Sequence, residues 1–458
     1  MGVLSGGVRK VLVMAQNFLS CDRDQVLLLP PDLSEWLPAG HLARFVIETV
    51  EQLDLSAVYG YYRRDGHGRP AHDPAMMVAL VLYCYAVGVT SSRAIERRCV
   101  DDVACRVITA SRRPDHATIA RFLIRHRDVL SGLFFEVLSL CQRAGMVRVG
   151  AVAVDSTKLA ANASARENRT YEGLREEARR IIEEAIETDR REDELYGDKR
   201  GDELPDELAD PRTRKARIKE LLEQARAERE RAQTQRAQLL AGQAEHRART
   251  GKRPRGRPAK PEGGHRERLL QSKKYNLTDP DSRVVRHRGM LMQGYNVQTA
   301  VGEEQIILAA RVTDTAVDQG QLSPTVQQAD ANLARLGVQE PIEEVLADSG
   351  YWNIGQIIEL KARHQRVLVP PSNTKQASRP ERMHPAAQEM HATLDTLEGK
   401  ASYRRRQQIV EPVFAHIKHI RGITRVLRRG KQAVQAEIDL IATTHNLLKL
   451  HQHTLTAA

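Results

Sequence analysis

The chain has little that would brace it covalently or seat it in a membrane. Its 458 residues include five cysteines, Cys21, Cys84, Cys99, Cys105 and Cys141, an odd number with no paired spacing of the kind that holds zinc. With no secretory signal to be seen, that pattern fits a reducing cytoplasm. Long apolar runs are missing as well. The stretch from Met76 to Val89 falls short of the roughly 20 residues that span a bilayer and reads as a buried helix. Nor is there an excess of acid: Lys and Arg total 70 against 59 Asp and Glu, a formal net charge of +11. A basic chain long enough for two or three domains points to a polyanionic partner.

What the sequence does hold is a small set of acids in telling places. Asp155 ends the apolar run Val149 to Val154, and Asp348 ends the run Ile342 to Ala347, so each is expected at the carboxyl end of a strand, on the lip of a sheet where ligands bind. Glu411 stands alone among cations in the stretch from Tyr403 to Lys418. Two divalent cations a few ångströms apart need several hard oxygen ligands, which Asp and Glu supply, and nearby Arg and Lys would hold a phosphodiester backbone. Taken singly, an Asp at a strand end is a turn or cap residue and a Glu in a charged helix is a solvated one.

Together, Val154-Asp155-Ser156-Thr157-Lys158, Leu346-Ala347-Asp348-Ser349-Gly350-Tyr351 and Ile409-Val410-Glu411-Pro412-Val413-Phe414 with Lys418 resemble the Asp-Asp-Glu motifs of bacterial insertion-sequence transposases. The likeness extends to Asn276 through Arg283, to Gly294 through Thr299, and to the amino-terminal region from about Asp32 to His126. It implies a ribonuclease-H-like mixed α/β catalytic domain and two Mg²⁺, replaceable by Mn²⁺, held by Asp155, Asp348 and Glu411. The family's third motif runs Tyr, two residues, Arg, three residues, Glu, six residues, Lys. Here Tyr403 and Arg406 keep the first gap and Glu411 and Lys418 the last, but four residues separate Arg406 from Glu411. On an unbroken helix Arg404, not Arg406, would share a stripe with Glu411 and Lys418. Either arginine is therefore open for the phosphate-gripping role, with Lys418 and a positioning Tyr403. Pro412 predicts that the helix starts or kinks near Glu411.

The amino-terminal residues 1–148 are expected to form a helical, helix-turn-helix-like domain. Asp73-Pro74 caps an apolar helix to about Ala86, and shorter helices follow to His126, with Thr118, Arg121, Arg125 and His126 candidates to face DNA. The alternative is an ordinary bundle with solvated charges. Residues 149–458 form the catalytic region, with strands expected at 149–155, 294–301, 305–313, 342–347 and 366–370, and helices at 320–336 and 354–363. The architecture is thus α+β and multidomain.

The 193 residues from Asp155 to Asp348 exceed what a compact sheet needs. Within them, 166–250 reads as a charged helical hairpin, its arms at 171–187 and 212–241, serving as a spacer, a dimer contact or a DNA clamp. Residues 251–275 form a basic linker in which Arg255-Gly256-Arg257, flanked by Pro254 and Pro258, looks like an AT-hook. Its extended Arg-Gly-Arg core would enter a narrow minor groove; otherwise it is a flexible basic tether. Trp352 is a packing residue or a platform for an unpaired base, and Asp279, Asp281 and Asp314 read as turn residues.

The resemblance implies a cytoplasmic, nucleoid-associated enzyme that binds double-stranded DNA at its element's terminal inverted repeats, cleaves there, and joins the 3′-hydroxyl ends to target DNA as a homodimer. Two alternatives stay open: a nuclease of the same fold without strand transfer, and a domesticated DNA-binding regulator without catalysis.

Overall fold

The computed structural model describes residues 35, 37–62, 71–196, 214–251, 272–287, 289–371 and 384–457. Its amino-terminal part is helical: α1 (Leu42–Val50), α2 (Ser56–Tyr59), α3 (Pro74–Ala86), α4 (Ser92–Asp101), α5 (Val103–Ile108), α6 (His116–Arg125) and α7 (Arg127–Arg143). The start of α3 follows from its sequence. Asp73 accepts from the Met76 amide at 2.9 Å and Pro74 fills the first turn, where its missing N–H costs nothing. Nearly all of α3 is buried because it runs through the centre of the helical region and packs on the last helix of the chain.

The sheet is built on β1 (Ala151–Ala160), which pairs antiparallel with β5 (Met290–Gly302) and parallel with β7 (Glu344–Ala347). Outside these lie β6 (Ile307–Thr313), antiparallel to β5, and β8 (Arg366–Leu368), parallel to β7. Before the sheet resumes, β2 (Asn168–Thr170) pairs with β3 (Lys274–Asn276), and β4 (Arg283–His287) forms a hairpin with the first residues of β5. Helices α10 (Leu322–Arg335) and α11 (Ile354–Ala362) fall where the periodicity placed them.

Two strand expectations change. β1 does not stop at Asp155 but runs on to Ala160, because Thr157 and Leu159 keep facing the core while Ser156 and Lys158 alternate with them into a polar network. The β4 hairpin was missed, since its arginines and histidine hide the alternation.

Between β1 and β5 the chain leaves the sheet as α8 (Tyr171–Tyr196) and α9 (Arg214–Thr250). They are antiparallel: Arg229 of α9 lies 3.8 Å from the Tyr171 ring at the start of α8, while Leu174 packs with Ile218, Leu221 and Ala225 in a small separate core. The residues expected to join them lie outside the described residues.

The carboxyl-terminal part contains α12 (Pro385–Asp395), α13 (Leu397–Ala415), a π-helical turn His416–Ile420, and α14 (Lys431–Ala457). α14 packs on α7, α3 and β6, so the amino-terminal helices and the sheet share one continuous core. It also closes the free edge of β6. The Asn446 side chain exchanges two hydrogen bonds with Ile307, and Gln435 pairs with the Val312 amide and Ala310 carbonyl, which blunts an edge that would otherwise invite strand pairing. Arg421 is buried: it donates to the Tyr85 carbonyl of α3 at 2.8 Å and to Thr444 of α14 at 2.6 Å. No helix among the described residues is long and apolar enough to cross a membrane.

Candidate functional site

The sheet itself brings Asp155 and Asp348 together. β1 and β7 are in parallel register through Val154 opposite Ala347. Asp155 and Asp348 are the next residues on the two strands, and the charge of Asp348 is felt at the Asp155 carboxyl. Past this point β7 turns away, and residues 424–426 rejoin the same side of β1 at Ala160, where Val426 N–H donates to the Ala160 carbonyl at 2.9 Å. The stretch of β1 between those two junctions is the lip on which the site is built. Asp348 caps a 3₁₀ turn, its Oδ1 accepting from the Gly350 amide at 2.9 Å.

Asp155 is held from three sides. Its Oδ1 accepts from the Ser156 amide at 2.7 Å, its Oδ2 accepts from Arg406 Nη1 at 3.0 Å, and its carbonyl accepts from the Thr299 hydroxyl at 3.2 Å. Burial pushes its carboxyl up to about 6, and the charge of Asp348 adds to that rise, against the pull of the Ser156 amide and Arg406.

The third acid arrives on α13. That helix neither starts nor breaks at Glu411 but continues through Pro412 to Ala415. Proline has no N–H to offer the Gln408 carbonyl one turn back, and the Gln305 side-chain amide fills that place at 3.1 Å. Glu411 is 57% exposed, and its Oε1 is 4.0 Å from Arg406 Nη2. One guanidinium thus stands between Asp155 and Glu411. The arginine in contact with the acids is Arg406; Arg404 is exposed. Arg404 would share a stripe with Glu411 and Lys418 only if α-helical spacing held as far as Lys418. The chain widens into a π turn before that residue, and Arg406 reaches β1 because α13 lies across it.

Tyr403 is half-buried beside Arg406, 6.0 Å from ring centroid to guanidinium carbon. Burial raises its phenol, opposed by Arg406 and reinforced by the charges of Asp348 and Asp155. Lys418 donates to the Lys158 carbonyl at 2.9 Å, inside the same gap in the sheet.

A network that the sequence reading overlooked buttresses the lip. Lys158 Nζ donates at 2.8 Å to each of Ser156, Asn296 and Asp318, and Asp318 also accepts from Asn296 and Gln298. Burial works against the charge on Asp318, but Lys158 and the amides outweigh it and hold the carboxyl below its ordinary range. Tyr351 donates to Gln298, so the turn that Asp348 caps is fastened to β5. Asn296 and Gln298 belong to the Gly294–Thr299 stretch, and their spacing of two on a strand is the signal that they share a face.

Several candidates for nucleic-acid contact are placed differently. Arg121 and Arg125 are exposed on α6, but the Thr118 hydroxyl is taken up within the helix by Asp115 and Arg121. His126 cannot face DNA: it is 0% exposed, enclosed by Tyr61, Tyr62 and Phe122, with the Tyr62 hydroxyl 3.2 Å from its Nε2. Trp352 is partly buried against the core. Asp279 sits in a turn, as expected, but is wholly buried and accepts from the Tyr295 hydroxyl at 2.8 Å. Arg255, Gly256 and Arg257 lie outside the described residues.

Among the described residues no three of His, Cys, Asp and Glu converge closely enough to hold a metal ion as placed. The donor chemistry nevertheless fits a hard divalent cation: two carboxylates side by side, a third within reach of the same arginine, and a counter-charge already drawn between them. Cavities of about 440 and 560 Å³ lie elsewhere, and none of the three acids lines them. An open lip of this kind suits a long polymer better than an enclosed small molecule.

Residues 31–125 match the transposase domain family DUF772 and residues 364–451 match a transposase DDE domain. The second match contains Arg406 and Glu411, and neither contains Asp155 or Asp348. No curated protein and no solved structure matches the chain. A transposase domain toward one end and a transposase DDE domain toward the other support an insertion-sequence transposase of the Asp-Asp-Glu type.

Proposed function

We propose that this chain is a metal-dependent DNA transposase that cuts at the ends of its element and joins the 3′-hydroxyl ends to target DNA. The observation that carries the proposal is the parallel register of β1 and β7 up to the residues just before Asp155 and Asp348, with Arg406 linking Asp155 to Glu411. The sheet supports a ribonuclease-H-like catalytic region: three antiparallel strands, β1, β5 and β6, are followed by parallel β7 and β8 with helices between. On this reading residues 1–148 are the helical DNA-binding domain and 149–458 the catalytic domain, interrupted by the hairpin 166–250 and the linker 251–275.

Asp155, Asp348 and Glu411 would hold two Mg²⁺, or Mn²⁺ in their place, once Arg406 leaves the space between the acids. The ions would supply charge neutralisation for the attacking and leaving oxygens. Arg406, released from Asp155, would grip a phosphate with Lys418, while Tyr403 would limit where that guanidinium can go. Each reaction exchanges one P–O bond for another. In cleavage a water oxygen attacks phosphorus and a 3′-hydroxyl leaves; in joining, that 3′-hydroxyl attacks a target phosphodiester and the target's own 3′ oxygen leaves. No covalent enzyme intermediate is needed.

Arg121 and Arg125 would contact the duplex from α6, and Arg255-Gly256-Arg257 its minor groove, with two copies of the chain pairing two ends. The test is incubation of the protein with Mg²⁺ and DNA carrying the inverted repeats that flank its gene. Strand transfer that is lost in Asp155→Asn, Asp348→Asn and Glu411→Gln supports the proposal. Cleavage without joining would make the chain a nuclease, and binding without either a regulator.

A further inference from the structure

The β4–β5 hairpin exposes large apolar side chains. Met290 is 72% exposed and Leu291 67%, and Val284 on the facing strand is exposed as well. Across the hairpin Arg286 is opposite Leu291, His287 opposite Met290 and Gln293 opposite Val284. Arg283 stands at the foot of the same strand, where its guanidinium donates to the Pro280 and Ser282 carbonyls.

The hairpin also points the right way. β5 faces Asp155 at Thr299 and runs antiparallel to β1, so its first residues lie beyond the same end of the sheet as the acids. From Thr299 back to Met290 is nine residues, or about 30 Å at a strand's rise, the length of roughly nine base pairs. The hairpin is braced at its base. Gly294 lets it pass close over β1, since a Cβ there would meet the Leu159 carbonyl at 2.5 Å, and buried Gln293 is locked to Ser282 at 2.7 Å.

We propose that this hairpin is a wedge for duplex DNA: Leu291, which shares a face with Arg286, enters between bases and unstacks them, Met290 on the other face lines the opened step, and Arg286 holds the adjoining phosphate, about one helical turn from the bond that is cut. Apolar side chains beside an exposed arginine, on a hairpin braced at its base, are what unstacking needs, since the cation supplies attraction to the backbone and the apolar groups replace lost base stacking. The proposal rests on the transposase reading above and deepens it by naming an element that deforms the substrate.

The experiment compares full-length protein binding to two fluorescein-labelled 30-base-pair duplexes, one fully paired and one with two mismatched pairs at its centre, across a range of salt. A wedge gains on the mismatched duplex because the unstacking is already done, and binding about tenfold tighter is expected. In Met290→Ser/Leu291→Ser that preference disappears and the salt dependence stays, whereas Arg286→Ala lowers the salt slope by about one. All three side chains are exposed, and melting curves confirm that the variants fold. Equal binding of both duplexes by the wild type overturns the wedge while leaving the transposase reading intact; so does a preference that survives the double substitution. Failure to bind either duplex overturns both. If the double variant instead breaks up a wild-type oligomer with DNA binding unchanged, the hairpin is covered by a second copy of the chain and the proposal falls.

Discussion

Arg406 donates to Asp155 across 251 residues of sequence, at 3.0 Å, and the same guanidinium lies 4.0 Å from Glu411. A cation that binds between these acids has to compete with a charge already there. Replacing Arg406 with Gln removes the competitor, and Mn²⁺ affinity, read by electron paramagnetic resonance on the protein without DNA, is expected to rise about tenfold or more. If the arginine's role is instead to hold Asp155 in a ligating pose, affinity falls, and the sign of the change decides between the two.

Cation binding should also carry the signature of Asp155. Burial raises its carboxyl to about 6, so the protonated, non-ligating form persists well above the range of an ordinary aspartate. Mn²⁺ affinity is then expected to hold steady above about pH 6 and to fall up to tenfold for each pH unit below it. Asp155→Asn should weaken binding and erase this acid limb. A binding curve flat from pH 7 to pH 5 would remove Asp155 from the ligand set.

The parallel β1 and β7 that lead to Asp155 and Asp348 were legible in the sequence because short apolar runs of this kind are what buried parallel strands require, and their register brings the two residues near each other. Much of what surrounds them was not. Arg406 enters the site because α13 crosses β1, a tertiary fact that helical spacing from Glu411 cannot express, and the π turn after Ala415 breaks the spacing anyway. The unbroken helix at Pro412 depends on Gln305, more than a hundred residues away, supplying the lost donor. His126 reads as one more basic residue beside Arg125 until Tyr61 and Tyr62 close over it from a distant turn.

The junction between α14 and the sheet should be sensitive to acid. His445 is buried, its Nε2 3.0 Å from the Gln305 carbonyl, and burial depresses its imidazole to about 3 from an ordinary 6.5. The neutral ring is favoured in the fold, so its contribution is fully present above about pH 6.5 and is lost as pH falls from there toward 3. The loss is on the order of 1.4 kcal/mol per pH unit inside that window. His445→Asn should therefore lose less stability than the wild type between pH 7 and pH 5, by about 2 kcal/mol in urea unfolding. Parallel losses in both proteins would mean the ring is protonated without cost.

The amino-terminal helices meet the catalytic region at a point that only glycine can occupy. Gly88, just past α3, has φ of +82°, and a Cβ built on it would lie 2.1 Å from the Arg421 carbonyl oxygen. Arg421 in turn ties α3 to α14 through Tyr85 and Thr444. Gly337 shares the backbone conformation, φ +81°, with open space around it, so the two glycines separate conformational strain from close approach. Gly337→Ala is expected to cost about 1 kcal/mol for the left-handed backbone alone. Gly88→Ala adds a backbone clash that a side-chain movement cannot relieve, and a cost of about 3 kcal/mol or more is expected in chemical unfolding. Because relief of that clash has to move α3 away from Arg421, the variant should also expose the buried guanidinium and the Tyr85 carbonyl. Hydrogen exchange at the end of α3 and along α14 would then rise together in Gly88→Ala and in neither element in Gly337→Ala. Equal costs for the two substitutions would show that the junction yields easily and that the helices are not held to the sheet through this contact.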